Sequence, residues 1–174
     1  TLVGNLNISG TASVTVANNT TFGAAIRMSN NTIASGLTAN SNINITGGSL
    51  TVAGHILKGV STGTGTATVT LNGGTLDMGG FNIGASTAAV SLAAQSGTLS
   101  NLSELNGGGT LTKTTADLLS MGGTNGYTGL TDIQEGEVKA VSAGGLSGSS
   151  TFSVAASALL TLNGFSSSVG GLSG

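Results

Sequence analysis

Proline is absent from this sequence and glycine occurs 31 times. The glycines fall between short runs in which apolar and polar side chains alternate. ASVTV at 12–16, NINI at 42–45, SLTV at 49–52, ATVTL at 67–71 and LLTL at 159–162 are the clearest. Alternation of this kind puts every second side chain on one side of an extended chain, the mark of a strand with one buried face. Thr, Ser, Val, Asn and Gly all rank low in helix propensity, so helices are not expected. Proline has no N–H to give to a ladder, and a chain without it suits strands that are paired on both edges.

The stretch NGGTLDMGGFNIG at 72–84 shows the punctuation in its sharpest form, with two glycine pairs around a four-residue run that carries Leu76 and Met78 on one face. Aligning the residue after each such glycine gives Ile26, Leu50, Leu76, Leu99, Leu119, Val138 and Leu162, in steps of 24, 26, 23, 20, 19 and 24 residues. A period of about two dozen residues holding three short strands describes one winding of a parallel β-solenoid. One winding cannot bury its inward side chains alone. Stacked windings pair every strand above and below, and the inward aliphatics line up along the axis. The expected fold is all-β, a right-handed parallel β-helix of about seven coils of roughly 19–26 residues, forming one segment over 1–174. Glycine is needed because the chain must turn about three times per winding within a few residues.

The second half adds a resemblance. GGGTLTK at 107–113, Leu118-Leu119, GTNGYTG at 123–129, Thr131-Asp132-Ile133 and Gly136-Glu137-Val138 resemble the autotransporter-associated β-strand repeat, best over 106–139. Residues 140–174 are similar to the segment that follows such repeats, and 72–84 to the family's spacer coils. One departure is TTADLLSM at 114–121, where the family usually places a glycine at the position of Ala116 or Asp117. The resemblance implies a parallel β-helix in the passenger of a type V secreted surface protein, with a membrane barrel outside this segment.

Composition narrows the function classes. More than half of the residues are Gly, Ser, Thr or Asn, yet 38% are hydrophobic and mean hydropathy is +0.34, enough apolar side chains for a thin core and too many for a disordered linker. Four basic residues, Arg27, Lys58, Lys113 and Lys139, cannot form the basic stripe of a nucleic-acid binder. No apolar run is long enough to span a bilayer as a helix. With no cysteine and one histidine, neither a disulfide nor a thiolate metal site is available.

Candidate chemistry is sparse. Asp132, Glu135 and Glu137 are the only clustered acids and could form an acid/base couple or a calcium site, against the plainer reading of an exposed solubilising turn. His55 lacks a carboxylate beside it, since the alignment puts Asp77 next to Thr51, and reads as a turn or rim residue. Gly63 to Ala67 and Gly107 to Gly109 lack the Lys-Ser/Thr of a phosphate loop and read as corners, and Lys113 reads as part of a strand. Tyr127 is expected to pack across a corner, and Phe22, Phe81, Phe152 and Phe165 to fill the core or its ends. The threonine run at 62–70 does not recur at the period, which argues against a flat ice-binding array.

No catalytic residue, no cofactor and no metal site is therefore expected. The leading expectation is an extracellular structural or adhesive rod at a bacterial cell surface. Its partners would be neighbouring repeats or copies of itself, with host or cell-surface glycans or proteins in addition, and neither nucleic acid nor membrane insertion of this segment. The alternatives are a filament subunit that stacks end to end and the scaffold of a polysaccharide-active enzyme. Neither TLVG at 1–4 nor VGGLSG at 169–174 looks like a cap, so the chain is expected either to continue or to stack.

Overall fold

The computed structural model describes residues 6–8, 12–28, 38–59 and 64–174. TLVG at 1–4 and the first residues of the 62–70 run lie outside them. The described residues form a parallel β-solenoid of about six turns, without helix. The main sheet contains β2 (Ala12–Val16), β5 (Thr38–Ile45), β8 (Thr64–Asp77), β9 (Ser91–Ser100), β10 (Leu111–Gly122), β11 (Thr131–Ala140), β12 (Thr151–Val154) and β14 (Gly171–Ser173), stacked in that order. On the adjoining side β3 (Thr20–Phe22) and β6 (Ser49–Val52) lead into the second half of β8, and β13 (Ala158–Thr161) closes the series on β11. A smaller sheet holds β1 (Leu6–Ile8), β4 (Ile26–Met28) and β7 (Ile56–Lys58) and continues as single bridges at Ile83 and Leu105. All the strand pairings are parallel.

Parallel stacking turns the alternating pattern into rows. Leu50, Leu76, Leu99, Met121 and Ala140 lie over one another and are fully buried. Ile45, Leu71 and Ala94 form a second row, and Ile26, Ile56, Ile83 and Leu105 a third. Each aliphatic side chain taken out of water contributes roughly 1.5–3 kcal/mol. One hydrophobic cluster runs from Val16 to Ala158. Phe22 and Phe152 are buried in it, and Phe81 and Phe165 pack against it half-buried, as expected from the sequence.

The register agrees with the sequence alignment from Leu50 through Leu76 to Leu99 and from Leu119 to Val138. It departs elsewhere. Ile26 lies under Ile56 and not Leu50, Leu99 is followed by Met121 and not Leu119, and Val138 by Leu160 and not Leu162. The last two are slips of two residues, which leave the inward face unchanged and so escape a period-two pattern. The winding from Thr20 to Leu50 takes 30 residues, beyond the expected 26, and the expected seven windings are about six.

Between the two larger faces the long strands bend at bulges. Register shifts fall at Leu71 to Thr75 on β8 and at Lys113 to Leu118 on β10, and an extra residue on one strand of a pair turns it. Gly97 and Gly136 sit at this corner with φ of 102° and 74°. A Cβ on Gly97 would collide with the carbonyl oxygen of Gly74, and one on Gly136 with those of Thr115 and Asp117. Neither Ala116 nor Asp117 takes a positive φ, and the left-handed conformation falls to Gly136 one winding on.

Candidate functional site

The GTNGYTG segment forms a corner, with Asn125 and Tyr127 turned inward and Thr124 and Thr128 outward. Asn125 is buried, accepts a hydrogen bond from the Leu102 amide at 2.8 Å, and donates to the carbonyls of Gly122 at 3.0 Å and Gly145 at 2.6 Å. One side chain thus joins three successive windings. Tyr127 packs across this corner, as expected, and is fully buried, with its hydroxyl 2.8 Å from Thr131 Oγ1. Thr131 Oγ1 lies 2.8 Å from Ser150 Oγ, which donates to Gly129 O at 2.6 Å, and Ser147 Oγ donates to Tyr127 O at 2.6 Å. Burial pushes the Tyr127 phenol up to about 12, against the opposing hydrogen bonds from Thr131 and Ser150. A buried phenol with every polar neighbour engaged holds a corner shut; it offers no atom to a ligand.

The carboxylates act at corners too. Asp77 Oδ1 accepts from Gly79 N at 3.0 Å and from Asn101 Nδ2 at 2.8 Å, while Asn101 Oδ1 accepts from Thr124 N at 3.0 Å. Glu104 Oε2 accepts from the Thr128 hydroxyl at 2.7 Å and Oε1 from Leu105 N at 2.8 Å. Asp77 lies beside Thr51, as the alignment has it. His55 is exposed; its Nδ1 accepts from Asn82 N at 3.0 Å and its ring meets Phe81 edge-on at 5.3 Å.

Asp132, Glu135 and Glu137 spread along β11. Asp132 Oδ2 accepts from Gln134 Nε2 at 2.7 Å, and Glu135 and Glu137 lie beside Thr114 and Leu118 of the winding before. Among the described residues, no group of three His, Cys, Asp or Glu side chains lies close enough to hold a metal ion.

Lys113 is the one charged side chain buried in the core, and its strand position was legible while its burial was not. It occupies the row of Ile133 and Val154. Its Nζ donates to Thr115 O, to Thr115 Oγ1 at 2.8 Å and to Glu135 O at 3.4 Å, and Thr115 Oγ1 donates to Gln95 O at 2.6 Å. The ammonium thus satisfies carbonyls on two windings, at Thr115 and Glu135, and the Thr115 hydroxyl carries the chain of bonds to Gln95 on a third. Burial lowers the Lys113 pKa, and the charges of Asp117 and Glu135 partly restore it.

What remains outward is a set of hydroxyl and amide rows. Ser13, Asn42, Thr68 and Ser91 stack on one face, and Ser49, Thr75, Thr98, Ser120, Lys139 and Thr161 on the next. Rungs are cross-linked, with Asn42 Nδ2 to Ser13 Oγ at 3.4 Å and Ser96 Oγ to Asn72 Oδ1 at 3.0 Å. Thr66, Thr68 and Thr70 of the threonine run stack on asparagines 40, 42 and 44 and not on other threonines. The sequence reading missed the clamps Asn125, Asn101 and Glu104. Their signal was an asparagine or glutamate near a glycine corner, too common in this composition to single out. Comparison with protein-family models, with curated proteins and with solved structures finds no match to the chain.

Proposed function

We propose that the chain is a structural and adhesive rod, a passenger segment of an autotransporter-like protein at a bacterial cell surface. The observation that carries this reading is the parallel stack of the described strands with hydroxyl and amide rows outward. Repetition along an axis presents the same weak polar contacts many times over, which favours multivalent attachment to a glycan or protein surface. The resemblance of 106–139 to the autotransporter repeat supports the same reading. Its GTNGYTG element coincides with a buried, three-winding clamp at Asn125, the kind of residue a stacking repeat has to carry.

A scaffold for polysaccharide chemistry is the weaker reading. Glycoside cleavage needs two carboxyl groups facing each other across a substrate, whereas Asp77 and Glu104 are spent on backbone and side-chain donors at corners. The test is display. With the chain placed between an export signal and an outer-membrane barrel, it should reach the surface, resist added protease and make the displaying cells adhere to glycan- or matrix-coated plates. A chain digested as fast as an unfolded control, or cells that adhere no better than those carrying the barrel alone, refutes the reading.

A further inference from the structure

Four asparagines stand directly before a glycine: Asn72, Asn106, Asn125 and Asn163. In such a pair the backbone nitrogen of the glycine can attack the side-chain amide carbon of the asparagine, and glycine has no Cβ to block the approach. The attack needs two freedoms. The carboxamide must turn back onto its own backbone, and the backbone must swing to meet it. Asn72, Asn106 and Asn125 all lie in interior windings, and the stack grants them these freedoms unequally.

Asn125 has neither. It is 4% exposed, and its carboxamide holds Leu102 N, Gly122 O and Gly145 O. The nitrogen that would attack, that of Gly126, donates to Leu102 O at 2.8 Å. Asn106 is held at both ends of its carboxamide, with Oδ1 accepting from Val90 N at 2.9 Å and Nδ2 donating to Val90 O at 3.0 Å. Turning either side chain would strip backbone groups of their partners. Asn72 differs. It is exposed, its Oδ1 accepts from the Ser96 hydroxyl at 3.0 Å, and its Nδ2 donates to nothing among the described residues. A surface hydroxyl can turn to water instead. The backbone is also less held, because the register of β8 on β9 shifts on both sides of Asn72, from Leu71 and toward Thr75. The ladder that stiffens a strand is interrupted at the reacting pair.

We propose that Asn72-Gly73 is a site of spontaneous modification in the folded chain, converting to aspartate and isoaspartate while the clamps on Asn106 and Asn125 protect those pairs. Gly73 N loses its proton to water and bonds to Asn72 Cγ. The bond from Cγ to Nδ2 breaks, and ammonia leaves with the proton returned to it, closing a five-membered succinimide. Water then adds to one of the two ring carbonyls and breaks its bond to the ring nitrogen. Opening at Cγ gives aspartate. Opening at the backbone carbonyl gives isoaspartate, in which the main chain runs through the former side chain. One water enters and one ammonia leaves, with no oxidant or cofactor. Either product sets a carboxylate beside Ser96 and makes the net charge of −2 one unit more negative. Isoaspartate also adds a carbon to the main chain at a bulge, where the strand already departs from regular pairing. The side of the rod would thus acquire charge with age at one position, whatever the rod adheres to.

The test is incubation of the 174-residue chain at mildly alkaline pH, folded and in urea, with samples taken over weeks. Peptide mapping by mass spectrometry follows the mass gain from amide to acid at each asparagine, and chromatography of the peptides separates isoaspartate from aspartate. Circular dichroism checks that the folded sample stays folded. In the folded chain Asn72 should convert at least tenfold faster than Asn106 and Asn125. In urea, where the clamps are gone, the three should converge to within a few-fold. An Asn72 that stays intact in the folded chain while it converts in urea overturns the proposal. So does conversion of folded Asn106 or Asn125 at the rate of Asn72, or a tenfold difference that persists in urea and therefore owes nothing to the fold.

Discussion

The chain has one tyrosine, so its ionisation can be followed by phenolate absorbance without interference. Tyr127 is fully buried with its hydroxyl on Thr131 Oγ1, and its pKa is raised from 10.0 to about 12, first by burial. The protonated form is the one the fold favours. Between pH 10 and 12 the folded chain therefore keeps a proton that the unfolded chain has lost. This contribution to stability is fully present below pH 10 and is lost as the pH rises through that window. The loss is about 1.4 kcal/mol per pH unit, roughly 2.7 kcal/mol in all. Lys113 acts with the opposite sign. Its pKa is lowered from 10.5 by burial, so its penalty is present at neutral pH and lifts as the pH rises toward that value. Comparing the parent with Tyr127→Phe cancels the Lys113 effect. The variant should lose about 1 kcal/mol at neutral pH for the missing hydrogen bond, then lack the tyrosine share of the alkaline decline in urea unfolding. A native titration midpoint near 10, with the strand signal in circular dichroism intact, would show that the hydroxyl reaches water and refute the reasoning.

Other predictions concern the corners and rows. Asn125→Ala leaves Leu102 N, Gly122 O and Gly145 O unpaired in a buried corner and should cost at least about 2 kcal/mol in chemical denaturation; Asn125→Asp should be no milder, since it sets a carboxylate against two carbonyls. Leu76→Ala in the central row should cost about 2–5 kcal/mol, while Thr98→Ala on an outward row should stay within about 0.5 kcal/mol. Gly136→Ala forces a side chain into a left-handed φ and against three backbone atoms of the previous winding, so it should cost well over the ~1–2 kcal/mol of the conformation alone. Gly126→Ala, where φ is ordinary and a Cβ would lie 3.5 Å from Ser103 O, should be close to neutral in a thermal melt.

Which residues face inward was legible from the sequence. Alternation is a property of neighbours two apart, so Leu50, Leu76, Leu99 and Val138 could be assigned to the core before any partner was known. The glycine corners followed in the same way, because a left-handed φ is a local demand. Register was not legible at Met121 or Leu160, since a slip of two residues preserves the pattern. Lys113 faces inward in step with Leu111 two residues before it, and what only the structure decided is that the β10 bulge just beyond it brings the Thr115 carbonyl and hydroxyl to its ammonium. The clamps at Asn125, Asn101 and Glu104 were decided by residues some 20–25 positions away, brought within hydrogen-bond distance by stacking. Local pattern determined that this chain makes rows; only the stacked structure determined which residues share a row and which polar groups lock one winding to the next.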